Sequence, residues 1–197
     1  MRSKYITEII KVPHETLRKT AAEITLVDVK TIQLVRSLEA TLAATRNPKG
    51  VGLAATQINT TKRAFATQHR NSLQVYVNPV ITSHSDNLVL GPSDDEPRLE
   101  GCLSIPAVYG PVPRWQWIEI EFQTLDGKKL RRDSRRLVGF EARVAQHELD
   151  HLDGILFIDY SLTFDLPIYT ENDETEDLDP IDKSVLIALG AEKLKTK

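Results

Sequence analysis

Residues 50–57 read Gly-Val-Gly-Leu-Ala-Ala-Thr-Gln. The first six have the G-x-G-x-x-A spelling of a dinucleotide-binding turn, which would make the chain a doubly wound α/β protein. Such a turn follows a strand and opens a helix. An acid about 20 residues further on holds the ribose. Here a helical pattern and Pro48 come before the glycines, and the residues near that distance are Gln68, His69, Arg70 and Asn71, none of them acidic. The nucleotide reading fails on context. What remains is a glycine turn leading into a buried run, Leu53-Ala54-Ala55, and that reading leaves Gln57 unexplained.

Working outward, Ile32, Val35, Leu38 and Leu42 recur at helical spacing, so an amphipathic helix is expected over 28–46, ended by Asn47-Pro48-Lys49-Gly50. Strands are expected at 62–67 and 73–77 around a turn at 69–72, with weaker ones at 80–83 and 88–90 and a polar loop at 93–97. Residues 117–124 alternate Trp-Ile-Glu-Ile-Glu-Phe-Gln-Thr, and Asp126-Gly127 reads as a hairpin turn into 128–132. A second helix is expected over 137–152, with Phe140, Val144, Ala145 and Leu152 on its apolar side, then a short strand or extended segment at 155–158. Strands mixed with two helices, rather than alternating with them, make the fold class α+β.

Residues 171–182 hold seven acids and Pro180, so a mobile acidic linker is expected at 166–182. A short C-terminal helix follows within 183–197, with Ser184 as its cap and lysines in its last turn. The 197 residues suit one domain, and 41% hydrophobic residues suffice for a core. A net charge of −3 gives no footprint for specific nucleic-acid binding. No apolar run approaches the ~18 residues that span a bilayer, so no membrane partner is expected. The opening MRSKYITEIIKVP lacks the apolar core of a signal peptide, and a cytoplasmic location is the expectation.

Chemistry concentrates in residues 146–151, Gln-His-Glu-Leu-Asp-His. His147 and His151 stand four apart on the expected helix, so both rings leave one face and can grip one metal ion. Glu148 between them can take a proton from water held at that ion. Val144, His147, Glu148 and His151 follow the spacing of the buried stripe. Burying two histidines and a glutamate without partners would cost several kcal/mol, an objection a metal removes. A hydrolytic site needs a third protein ligand and an open position. Asp153 and Asp159 lie downstream without a motif. Upstream, Glu100-Gly101-Cys102-Leu103-Ser104 holds the chain's one cysteine, and its thiolate suits soft or borderline metals, ferrous iron included.

Three motifs in order, GVGLAATQ, EGCLS and QHELDH, together with Leu17-Arg18, Asn78-Pro79 and Gly154-Ile155-Leu156-Phe157, resemble those of the peptide deformylases from about Val12 to Tyr160. The resemblance implies antiparallel and mixed sheets around a central helix that carries H-E-x-x-H, within a catalytic domain at 1–165. It implies removal of the N-formyl group from formyl-Met nascent peptides, with release of formate. It implies one divalent ion on Cys102, His147 and His151, Fe²⁺ in the cell, with Zn²⁺, Ni²⁺ or Co²⁺ possible in purified protein. Glu148 would be the general base, while Gln57 and the Leu103 N–H would donate to the oxyanion. Val51 and Gly52 would pair with the substrate backbone, and Val51, Phe140 and Val144 would wall the methionine pocket. Glu100 and Arg114 would form an ion pair that fixes the cysteine loop, and Gln146 would hold hydrogen bonds behind the first histidine.

Position 56 is Thr where many members have Pro, and Ala107-Val108-Tyr109 is less typical of the family. Ribosome contact through Lys193, Lys195 and Lys197 is a further expectation, weakened by the acids at 171–182. The rival readings are an H-E-x-x-H metalloendopeptidase, a relative that binds formyl-peptides or metal without turnover, and a structural metal site, which would need a fourth protein ligand.

Overall fold

The computed structural model describes residues 4–70, 72–91, 99–172 and 177–194. The first helix, α1 (Val29–Ala44), is capped by Asp28, whose carboxylate accepts from the Thr31 N–H at 2.8 Å. It stops at Thr45, whose hydroxyl donates to the Leu42 carbonyl and accepts from the Gly50 N–H. Then come β1 (Gly52–Ala54), β2 (Ala64–His69), β3 (Ser72–His84), β4 (Leu88–Val89), β5 (Leu99–Cys102), β6 (Ile105–Pro111), β7 (Arg114–Trp115), β8 (Trp117–Asp126) and β9 (Lys129–Val138). The chain closes with α2 (Phe140–Leu152), α3 (Phe157–Phe164), β10 (Tyr169–Glu171), β11 (Leu178–Pro180) and α4 (Lys183–Ala188).

Strands β1-β2-β3-β8-β9 form an antiparallel sheet in that order, and β11-β10-β6-β5 form a second. The fold is α+β, as expected. The alternation at 117–124 pairs with β9 through the turn at Asp126-Gly127. Two expected strands, 73–77 and 80–83, fuse into β3 across an irregularity at Asn78-Pro79. The Asn78 amide holds that irregularity by bonding both the N–H and the carbonyl of Ile24 and the side chain of Gln123. The polar loop at 93–97 lies outside the described residues.

Helix α2 runs against the first sheet. Ala142, Ala145, Leu149 and Leu152 pack on Phe65, Tyr76, Ile118, Ile120 and Phe122. The two alanines let the helix approach closely, and the opposite stripe is left for chemistry. A second cluster buries Leu34, Val35, Leu38 and Leu42 of α1 behind β2 and β3.

Four expectations need correction. The second helix begins at Phe140, not 137. Leu137 and Val138 complete β9, and Gly139 then turns the chain at φ 58, ψ −123, a conformation that needs glycine. Residues 155–158 are not a strand. The Asp159 carboxylate accepts from the Leu156 N–H at 2.8 Å and starts α3 instead. The acidic segment is not a free spacer over its described part. β10 and β11 pair with each other, and β10 pairs with β6. Residues 173–176 lie outside the described residues. Past it, Asp182 rather than Ser184 caps α4, and α4 is short. Leu186 and Ala191 are buried with Ile168, Ile105 and Cys102 in a third cluster.

Candidate active site

The stripe of α2 that turns from the sheet carries Val144, His147, Glu148 and His151, as the spacing requires. Cys102 arrives from the end of β5, where pairing with β6 slips between Gly101 and Cys102. The Cys102 sulfur and one nitrogen from each of His147 and His151 all lie within 4.8 Å of one another. Cys102 Sγ is 3.1 Å from His151 Nε2, and the imidazole rings meet edge-on with centroids 4.9 Å apart. One thiolate and two imidazoles in a cluster of this size fit a single transition-metal ion with a position left open. The rival third ligands are committed elsewhere: Asp153 pairs with Arg63 on the surface, and Asp159 takes both nitrogens of Arg18.

Burial drives His151 well below the usual histidine range, with the charge of His147 adding to it, so its ring stays neutral and able to ligate. Burial pushes the Glu148 carboxyl up to about 7, against the pull of His147. Glu148 Oε2 is buried and has no hydrogen-bond partner among the described residues. An unpartnered buried carboxylate oxygen beside a ligand cluster is what a proton acceptor for bound water requires.

Gln57 lies in a short 3-10 turn, Ala55–Ile58, and is almost wholly buried. Its Oε1 accepts from the Ala54 N–H at 2.7 Å, which aims Nε2 at Cys102 Sγ (3.5 Å) and Ser104 Oγ (3.2 Å). Leu103 follows the cysteine, and its carbonyl accepts from Lys11 Nζ.

These groups face a cleft of about 440 Å³. Val51, Gly52, Phe140 and Val144 line it, and so do Leu103 and Glu100. One wall is β1, an edge strand with one side unpaired; the other is β5, the edge of the second sheet. Beyond Gly52 the chain leaves the cleft wall, and Leu53, Ala54 and Ala55 are fully buried.

Behind the ligands Glu100 is buried, and Arg114 grips it bidentately at 2.9 Å through Nε and Nη2. His147 Nδ1 lies 2.9 Å from Glu100 Oε2, which orients the ring. Gln146 departs from expectation. One residue along a helix turns its side chain ~100° away from His147, and it clamps the backbone of Trp115 through both amide atoms. Sequence reading also missed Arg143, which adds a second guanidinium to Glu100, and Asp150, which takes Arg114 Nη1. Their only signal was a charged residue inside or beside the helix stripe.

The model of the polypeptide deformylase family matches residues 6–164. The chain belongs to that family. Peptide deformylase 2 of a Nostoc species is 38% identical over 162 residues, 77% of this chain and 83% of that protein. The peptide deformylase from Synechococcus elongatus in complex with actinonin superposes with a TM-score of 0.68 at 27% identity, covering 96% of this chain and 89% of that one. The class I type b deformylase from Acinetobacter baumannii with Met-Ala-Ser bound gives 0.67 at 31% identity, covering 81% and 99%. As a deformylase, this chain is a metallohydrolase that removes the N-formyl group from nascent peptides. No helix of the described residues is long and apolar enough to cross a membrane.

Proposed function

We propose that Cys102, His147 and His151 hold one divalent ion, Fe²⁺ in the cell, and that the remaining cleft residues divide the work of deformylation among them. When bound, the ion supplies Lewis acidity and makes water a nucleophile near neutral pH. Glu148 takes the proton of the attacking water. Gln57 Nε2 and the Leu103 N–H donate to the oxygen of the formyl carbon as it gains negative charge. The C–N bond then breaks, formate leaves, and Glu148 returns the proton to the amine. The backbone of Val51 and Gly52, at the start of edge strand β1, pairs with the peptide backbone as an added strand, and Val51, Phe140 and Val144 receive the methionine side chain.

The observation that carries this division of roles is the setting of Gln57 and Glu148 around the ligand cluster. The Gln57 amide reaches Cys102 Sγ of the Cys-His-His cluster, and Glu148, next to His147 in the chain, keeps a buried oxygen with no partner among the described residues. The test is formate release from formyl-Met-Ala-Ser by protein prepared without oxygen and loaded with Fe²⁺ or Ni²⁺. Glu148→Ala should keep the metal and lose the reaction. Cleavage of unformylated peptides without formate would favour the endopeptidase.

The nascent-chain substrate supports a cytoplasmic location. Contact with the ribosome through the C-terminal tail rests on exposed Lys193, with Lys195 and Lys197 beyond the described residues. Unchanged co-sedimentation with ribosomes after its three lysines are replaced by Glu would overturn it.

A further inference from the structure

Arg143 is a cation almost wholly buried beside the ligand cluster, and no motif marks it. Its Nη1 donates to Glu100 Oε1 at 2.8 Å and to the Val112 carbonyl at 2.7 Å. Its Nη2 donates to the carbonyls of Val89 at 2.8 Å and Gly91 at 3.3 Å. One side chain therefore joins α2, the end of β4, the link between β6 and β7, and the carboxylate that orients His147.

We propose that Arg143 is a positioning residue for the metal centre, acting through Glu100 on His147. Arg143 and His147 are one helical turn apart, and both bond Glu100, one to each oxygen. A carboxylate held by one helix at two points cannot slide along that helix without breaking a bond. Arg114 reaches the same carboxylate from β7, on another element, and bonds both of its oxygens. The two guanidiniums fix both the plane of Glu100 and its height along α2. The ring plane of His147, and with it the direction of Nε2, follows. A lysine at 143 would keep the charge but cannot fork to four acceptors.

The proposal rests on the ligand assignment above, so its test measures metal binding without substrate. Chelator competition with Zn²⁺ as the probe compares wild type, Arg143→Met, Arg143→Lys and Leu38→Ala. The last removes core volume on α1, outside the site, and controls for lost stability alone. Both Arg143 variants are expected to bind Zn²⁺ roughly 10–100-fold more weakly, the usual effect of removing a group that orients a ligand. Leu38→Ala should bind as wild type does. In metal-saturated enzyme the Arg143 variants should lose kcat with KM little changed. Affinity unchanged at 143, an equal loss in Leu38→Ala, or a rise in KM alone would overturn the proposal. If Arg143→Met does not fold, Arg143→Lys decides by the same readings. A wild type that binds no Zn²⁺ would sink the ligand assignment instead.

Discussion

A Cβ placed on Gly52 would lie 2.1 Å from Oε1 of Glu148. The second glycine of GVGLAATQ is therefore a cradle for a carboxylate on another element, not for a phosphate. Any side chain at 52 must push Glu148 out of the place from which it reaches water. Gly52→Ala is expected to lower kcat/KM on the order of 10²-fold, the scale of a misplacement of about 1 Å. Metal content, read by atomic absorption, should not change. A variant as fast as wild type would mean that Glu148 needs no fixed position.

Gln57 carries a two-ended amide: the oxygen is anchored by the Ala54 N–H and the nitrogen faces the cleft. Gln57→Ala should reduce kcat about 10²–10³-fold, the usual effect of losing one oxyanion donor. KM for formyl-Met-Ala-Ser should move far less, since the amide acts on charge that develops only in the reaction. Kinetics that lose KM alone would reassign Gln57 to ground-state binding.

Glu148 gives the metal-free protein a pH dependence with a definite sign. Its folded value is raised from 4.5 to about 7 by burial. Its stabilising contribution is then complete below pH 4.5 and is lost as pH climbs through 7. That loss is ~3 kcal/mol, from 1.36 kcal/mol per unit. Glu148→Gln lacks this group. In urea unfolding of chelator-treated protein, its stability relative to wild type should therefore rise between pH 4.5 and pH 7. A flat difference would show that the carboxyl titrates normally.

Leu186 of α4 is fully buried in the cluster that also holds Cys102 and Ile105. Leu186→Ala should cost ~2–5 kcal/mol in urea unfolding, as for other buried leucines. A tail lying free of the body would instead show a change within ~0.5 kcal/mol.

The site was more legible than the sheet that carries half of it. His147, Glu148 and His151 share one helix, so spacing alone placed them on one face. Cys102 followed as the remaining thiol. The 117–132 hairpin was legible because its partners are neighbours in the chain and only one face is buried. Strands β5 and β6 were not. Their run of Gly, Pro and small residues shows no period of two. β6 takes its second partner, β10, from about sixty residues further on, with Tyr109 opposite Tyr169. Pairing at such separation leaves no local trace. Helix α3 was hidden by an apolar run that reads equally as strand, and the Asp159 carboxylate decided it. Arg143 escaped because a charge on a buried stripe reads as an anomaly until its acceptors, spread over three segments of the chain, are seen together.

The pairing of β10 with β6 has a consequence for how the molecule comes into being. β6 stays an unfinished edge until residues near 170 have been made, and Leu186 must follow before the cluster under Cys102 closes. The first sheet and α2 can assemble while synthesis continues. The half of the molecule that carries the cysteine takes its last partners, β10 and Leu186, from more than sixty residues beyond Cys102 in the chain.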